Sequence, residues 1–348
     1  MQTGKKVLCF GEVLLRMSPF ANGGWIDQGK IPTFVGGAEA NVAIALAAWE
    51  VSSAYCTALP VNYLGDDICN YLGSKGVDVA TIHRSGKRIG IYYLQQGADL
   101  KNAGLIYDRA HSSFYDLEPG MIDWDKVLEE VGWFHFTAIS PAINDQVAAV
   151  CKEALEAASA KGITISVDLN YRAKLWQYGK RPDEVMPELV QYGDLIMGNI
   201  WAANTLLGIP VLKHLIDKDT KQSYLEHSIQ TSAAIMDQYP KCKAVANTFR
   251  FEKGDQGIDY YTTLFTGSQL YVSPHFSTET VVDKIGSGDC FMAGLIYGMY
   301  HDHAPQQVIS YAAAAAFGKL NEIGDATSQT IEQVQAIMNK YEQETIRA

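Results

Sequence analysis

Several function classes are missing from this sequence at once. Its six cysteines (9, 56, 69, 151, 242 and 290) contain no Cys-x-x-Cys pair and no framework spacing, which excludes a disulfide scaffold and predicts buried thiols in a reducing compartment. The eight histidines are just as dispersed. Only His301-Asp302-His303 brings two together, and with no third ligand nearby it reads as a polar helix end, so no residue is assigned to a metal. Basic residues are scarce, 28 Lys and Arg against 39 Asp and Glu for a net charge of −11. They are too scattered to form the basic face that nucleic acid or an anionic membrane would require. No apolar run approaches the ~20 residues of a membrane span. The opening MQTGKKVLCFGEV passes from two lysines straight into a short apolar strand without a signal-peptide core, so a cytoplasmic location is expected. No G-x-G-x-x-G follows the first strand and no GxxxxGK[ST] occurs, which leaves a Rossmann dinucleotide site and a Walker loop unsupported. Repeats, low-complexity tracts and long linkers are absent too, and residues 1–348 are expected to form a single catalytic domain.

What is present is alternation. Val7–Phe10, Trp133–Thr137, Ile163–Asp168, Leu195–Met197, Ala244–Thr248 and Asp259–Leu264 read as strands. Ala38–Glu50, Asp145–Ala160, Gly288–His301, Gln306–Ile323 and Ser328–Gln343 read as helices. That rhythm predicts an α/β fold, a mostly parallel sheet covered by helices on both faces. Two regions break it. Residues 12–34 and 86–115 carry Gly-rich alternating segments, such as Ile89–Leu94 and Gly104–Tyr107, that predict antiparallel hairpins building one small β-sheet lid. Residues 211–240 read as a polar, helix-prone insertion without visible chemistry.

The most informative stretch is Val281–Leu295, where a strand end is expected to meet Gly286-Ser287-Gly288-Asp289 and then an apolar helix. Glycines just before a helix let backbone N–H groups converge, and the helix N-terminus adds roughly half a positive charge, so an anion is favoured there. Asp289 falls in the first turn beside this anion hole, within reach of a hydroxyl proton. An anion hole with an adjacent base is the equipment for phosphoryl transfer to an alcohol. Taken alone, the tetrapeptide also reads, and more often, as a turn followed by an acid that favours the helix dipole.

The run from Asp283 to Asp289, with Phe291, Ala293 and Gly294, resembles the D-T-x-G-A-G-D-x-F signature of the ribokinase-like (PfkB) carbohydrate kinases. Gly36-Gly37-Ala38-Glu39-Ala40-Asn41-Val42-Ala43, about 250 residues earlier, resembles that family's N-terminal Gly-Gly signature. Within the family, Gly11–Pro19, Gly90-Ile91-Tyr92, Tyr107-Asp108-Arg109 and Asp168–Trp176 are most similar to the 2-keto-3-deoxygluconate kinases. The resemblance implies a ribokinase-like three-layer α/β/α sandwich with a β-sheet lid, ATP and Mg2+ as cofactors, and a sugar acid as substrate. It further implies that Asp289 is the base and Gly286, Ser287 and Gly288 the anion hole. Gly37, Asn41, Tyr92, Tyr107, Arg109, Arg172 and Asp325 would meet the substrate; Asn170, Thr248, Gly254 and Gly257 would meet the nucleotide. Two arginines suit a sugar carboxylate, for which a guanidinium offers paired donors, whereas a neutral hexose needs none.

Some positions depart from the pattern. Lys284 stands where the signature has Thr. In Asn199-Ile200-Trp201-Ala202, Ala202 occupies the position of the Glu that organises magnesium in the family's N-x-x-E motif. Magnesium would then be held through water and phosphates, or another acid such as Asp168 would substitute, or activity would be weakened. Phe249–Gly257 offers Arg250 and Lys253 near the nucleotide, or is simply a hairpin turn; Ala312–Ala316 suits an adenine ring or core packing. Two alternatives remain at this stage, a kinase for a neutral sugar of the fructose or ribose type and a catalytically silent sugar- or nucleotide-binding relative. An exposed lid edge predicts a homodimer joined through the lids.

Overall fold

The computed structural model describes residues 4–19, 25, 29–95 and 104–347. Of the two regions expected to build a lid, residues 20–24, 26–28 and 96–103 lie outside them. The first third of the chain supplies β1 (Lys6–Phe10), β2 (Leu14–Met17), β3 (Thr33–Gly36), α1 (Ala38–Ala48), β4 (Ser53–Cys56), β5 (Ala58–Leu59), α2 (Tyr63–Ser74), β6 (His83–Arg84), β7 (Gly90–Tyr93) and β8 (Ile106–Asp108). The middle supplies α3 (Trp124–Val127), β9 (Val131–Thr137), α4 (Asp145–Ala160), β10 (Thr164–Asp168), α5 (Pro182–Val190), β11 (Leu195–Gly198), α6 (Ile200–Leu207), α7 (Lys213–Ile216) and α8 (Lys221–Gln238). The last part adds β12 (Ala244–Lys253), β13 (Gly257–Thr266), β14 (Gln269–Val272), β15 (Phe276–Thr278), α9 (Ser287–Tyr300), α10 (Pro305–Lys319) and α11 (Ile331–Arg347).

The main sheet runs β14-β13-β12-β11-β10-β9-β1-β4, with β15 also on β13. From β4 to β12 every pairing is parallel, and only the β13, β14 and β15 edge is antiparallel. Side chains of β1 alternate between two apolar cores. Val7 and Cys9 face a core shared with α1, α9 and α10, while Leu8 and Phe10 face one shared with α3, α4 and α5. Burial on both sides explains why such strands are continuous apolar runs. Helix α4 shows how the sequence dictates an outer layer. Asn144 caps it by accepting from the Val147 N–H (2.8 Å), and Val147, Cys151, Ala154 and Ala158 bury one stripe. By contrast α1 is buried nearly all round, because it is wedged between the sheet and α9.

The small sheet runs β3-β2-β7-β8. Its two outer pairings are antiparallel, as hairpin-like segments predict, but the central β2–β7 pair is parallel, because those strands come from separate excursions of the chain. One further expectation is corrected. The residues before α9 form a loop rather than a strand end, since the preceding strand, β15, stops at Thr278. Residues 211–240 are largely helical, as expected, and pack onto the sheet. Helix α8 lies on the sheet, where Asn247 Nδ2 donates to Ser228 Oγ (3.2 Å) and Ser232 Oγ (3.3 Å), and Ser228 bonds Thr263 (2.8 Å). Its buried face is polar, which hid it from an apolar-stripe reading.

The topology brings the C-terminal ends of β1, β9 and β10 to the N-termini of α1 and α9. In open α/β sheets ligands sit outside those strand ends.

Candidate active site

Helix α9 opens on Gly286, whose φ of +76° is left-handed. A Cβ at Gly286 would overlap the Asp325 carbonyl oxygen, so the turn demands glycine twice over. Gly286 caps the helix without a side-chain bond, and its carbonyl accepts from Cys290 N–H (2.9 Å). That leaves the N–H groups of Ser287, Gly288 and Asp289 without a protein acceptor among the described residues. Nothing lies within 4 Å of where a Gly288 Cβ would be, so the approach to these donors is open. Three unsatisfied amides at the positive end of a helix are fitted to a phosphate.

Asp289 is buried in that first turn, and its Oδ2 accepts from Asn41 Nδ2 (2.7 Å) across from α1. Burial is the largest influence on its carboxyl and pushes it up to about 6, with Asp325 adding to the rise; Asn41, Arg172 and Lys319 pull it down. Asn41 Oδ1 is buried without a partner, an acceptor aimed at no protein donor. Two more carboxylates face the same strand ends. Asp168, the last residue of β10, is held well above the usual carboxylate range by burial, by Asp289 and by Glu39, against the pull of Arg172 and a hydrogen bond with Asn170. Glu39, also buried, accepts from Thr137 N–H (3.1 Å) and Thr137 Oγ1 (2.8 Å), and burial pushes it up to about 7. Its carboxylate fills the space a side chain at Gly11 would need.

On the side of the small sheet, Tyr92 on β7 donates to Asp325 Oδ2 (2.6 Å), and its ring lies 6.3 Å from Tyr107 on β8. Asp325 also accepts from Arg16 Nε (2.7 Å), and Arg16 Nη2 reaches Asp283 (3.2 Å). This buried network stitches strands β2 and β7 to the loops before α9 and after α10. Gly37, with φ +139°, starts α1 where a Cβ would lie 2.7 Å from the Glu12 carbonyl oxygen. Arg109 is buried and committed: its Nε donates to Glu12 Oε2 (2.6 Å), while Ser112 Oγ donates to the other Glu12 oxygen (2.6 Å). Arg172 is half-buried, donates to its neighbour's Tyr171 carbonyl (3.1 Å), and forms no ion pair with a carboxylate among the described residues. The two arginines are therefore unlike, one neutralised and one carrying net charge.

On the side expected to hold nucleotide, Asn170 follows β10 beside Asp168, and Thr248 lies within β12 opposite Thr262. Phe249–Lys253 continues β12 as one arm of a hairpin with β13, and Gly254 (φ +57°) sits at its tip. Gly257 is required by packing, because a Cβ there would meet the Thr278 and Lys253 carbonyls. Lys253 is taken by Glu279 (2.7 Å) and Ser277 (2.8 Å), and Lys284 lies 3.5 Å from Glu252. Ala202 is buried in the first turn of α6, its N–H bonded to the capping Asn199 Oδ1 (2.8 Å). Ala312 packs directly beneath Gly294, so the small residues of 312–316 serve the close crossing of α9 and α10.

Sequence reasoning missed Glu12, Arg16 and Lys319. Arg16 and Lys319 carried a signal, a charge inside an otherwise apolar element, LLRM and YAAAAAFGK; Glu12 lies in the loop between β1 and β2 and carried none of that kind.

Comparison with known proteins adds the following. A model of the pfkB family of carbohydrate kinases matches residues 4–331. The 2-dehydro-3-deoxygalactonokinase of Haloferax volcanii is 26% identical over 340 residues, spanning 96% of each chain. The crystal structure of a 2-dehydro-3-deoxygluconokinase from Thermotoga maritima superposes with a TM-score of 0.87 at 33% identity, covering 96% of this chain and 99% of that one. A putative ribokinase II from E. coli, in complex with ATP and Mg2+, shares the fold with a TM-score of 0.73 at 18% identity, covering 97% and 99%.

Proposed function

The chain belongs to the pfkB family of carbohydrate kinases, and from that premise we propose that it transfers the γ-phosphoryl group of ATP to the primary hydroxyl of a sugar acid, 2-keto-3-deoxygluconate being the favoured substrate. One observation carries this reading: the unpaired amides of Ser287, Gly288 and Asp289 open beside the Asp289 carboxylate itself. The substrate's O–H proton passes to Asp289 as its oxygen bonds to the γ-phosphorus and the bond to the ADP oxygen breaks. The amides hold the transferring phosphate, where charge accumulates. A base pushed up to about 6 is ionised at neutral pH yet basic enough to take a proton.

Substrate recognition follows from the same surroundings. Asn41 Oδ1 offers a hydroxyl an acceptor that no protein donor uses. Gly37, Tyr92, Tyr107 and Asp325 line the lid side. Arg172 supplies the net charge that a sugar carboxylate needs. Arg109, its charge cancelled by Glu12, contributes directed N–H donors instead. Adenine and ribose would lie along Asn170, Thr248, Gly254 and Gly257, at the sheet's C-terminal edge.

A magnesium ion fits the donor set only in part. No group of three His, Cys, Asp or Glu side chains suited to a metal occurs among the described residues. Asp168, whose charge is opposed by Asp289 and Glu39, would be relieved by a cation, so Asp168 and Asn170 would face an ion bound mainly by nucleotide phosphates and water. Such an ion would neutralise phosphate charge.

The test is ADP release with 2-keto-3-deoxygluconate, fructose and ribose in parallel, with wild type and Arg172→Leu. Turnover should favour the acid, and the variant should raise KM for the acid roughly 10²-fold while leaving neutral sugars unchanged. Equal effects on all sugars would favour a neutral-sugar kinase, which the neutralised Arg109 would suit. Background turnover with every sugar would point to a silent binding protein.

A further inference from the structure

Lys319 closes α10 and is fully buried, an unusual place for an ammonium group. Its Nζ donates to two backbone carbonyls, Gly324 (2.8 Å) and Glu322 (3.1 Å), and no carboxylate lies within ion-pairing distance among the described residues. A buried charge with no counter-ion is costly unless a site is built for it. Here the site is the loop after α10. Its carbonyls converge on one point, as they would around a small dissolved cation, and the point is filled from within by the chain.

Its position gives that charge a use. The lysine stem runs under Gly286, so that a Cβ at Gly286 would lie 3.4 Å from Lys319 Cε. The ammonium thus stands behind the open amides of α9, and it also acts on the Asp289 carboxyl, favouring its ionised form. Arg172 also acts on Asp289, from the side assigned to the substrate, whereas the other arginines nearby are spent. Arg16 is paired with Asp283 and Asp325, and Arg109 with Glu12.

We propose that Lys319 is a tethered cation, a positioning residue that holds the 322–324 loop as a dissolved monovalent cation would, places a cation behind the anion hole, and makes the enzyme independent of added K+ or NH4+. The inference rests on the phosphoryl-transfer reading only for its activity readout.

The test compares wild type, Lys319→Ala and Lys319→Met in choline, potassium and ammonium chloride at equal ionic strength. Alanine leaves a carbonyl-lined hole open to a dissolved cation, whereas methionine plugs it with a neutral stem. Wild type should be indifferent to the salt. K319A should lose roughly 10²-fold in kcat and in ATP affinity measured by calorimetry in choline chloride, and ammonium or potassium should restore at least ~10-fold of each. K319M should lose as much and recover nothing. If K319A does not fold in choline, a cooperative thermal transition should appear in ammonium or potassium and stay absent in choline. Cation-dependent wild type, undiminished K319A, or equal recovery of both variants would overturn the proposal. A wild type that binds ATP but phosphorylates no sugar would refute the reaction assigned above, while the calorimetric comparison would still decide the role of Lys319.

Discussion

Asp289 is held between opposing influences, and its two roles pull stability and activity apart. Burial raises its carboxyl to about 6 from an ordinary value of 3.8. Only the ionised form can accept a proton, so kcat/KM should fall tenfold per pH unit below about 6 and level off above it; a rate flat from pH 5 to 8 would rule out this base. The sign for stability is the reverse. A carboxyl raised in the folded state favours folding below pH 3.8 and opposes it increasingly as pH rises through 6. Asp289→Asn should therefore abolish most turnover at pH 7, leave substrate affinity nearly intact, and stabilise the fold by up to about 3 kcal/mol, read by urea denaturation. Equal loss of binding and turnover would count against the base assignment. Arg109 and Arg172 make a related point: identical residue types differ in net charge because Arg109 has Glu12, whereas Arg172 has no carboxylate partner among the described residues.

At the scale of elements, the cradle is the junction between a loop and α9, and its two glycines do different work. Gly286 is fixed by a left-handed φ of +76° and by the Asp325 carbonyl beneath it. Gly288 has helical surroundings and open space. Gly286→Ala should thus destabilise the protein by more than about 2 kcal/mol, combining left-handed strain with a steric shift of the 324–326 loop. Gly288→Ala should leave stability unchanged or raise it by up to about 1 kcal/mol, because alanine favours a helix, while raising KM for ATP by crowding the phosphate. Thermal melts and nucleotide titrations on the pair separate packing from binding. If both glycines behaved alike, the open face of α9 would have no special place in the site.

At the scale of the molecule, the small sheet stands apart from the main one, and its faces differ. Leu14, Arg16, Tyr92 and Gly90 are buried, whereas Met17, Ile91 and Tyr93 alternate with them toward the outside, and Ile106 is 59% exposed. Such a face and its strand edge suit the sheet of a second copy, as proposed for a homodimer. Light scattering should then give about twice 38.2 kDa, and Ile91→Glu with Ile106→Lys should halve it; a wild-type monomer would end that proposal. Periodicity and turn chemistry are local, and so the alternation of strands and helices, the glycine turn ahead of α9 and the lone first-turn acid were legible from residues in sequence. Pairing partners are not local. The parallel β2–β7 contact, the polar face of α8, the Glu12–Arg109 and Arg16–Asp325 pairs and the burial of Lys319 depend on segments tens to hundreds of positions apart, and only the folded chain, by choosing which charges lose their water together, decided them.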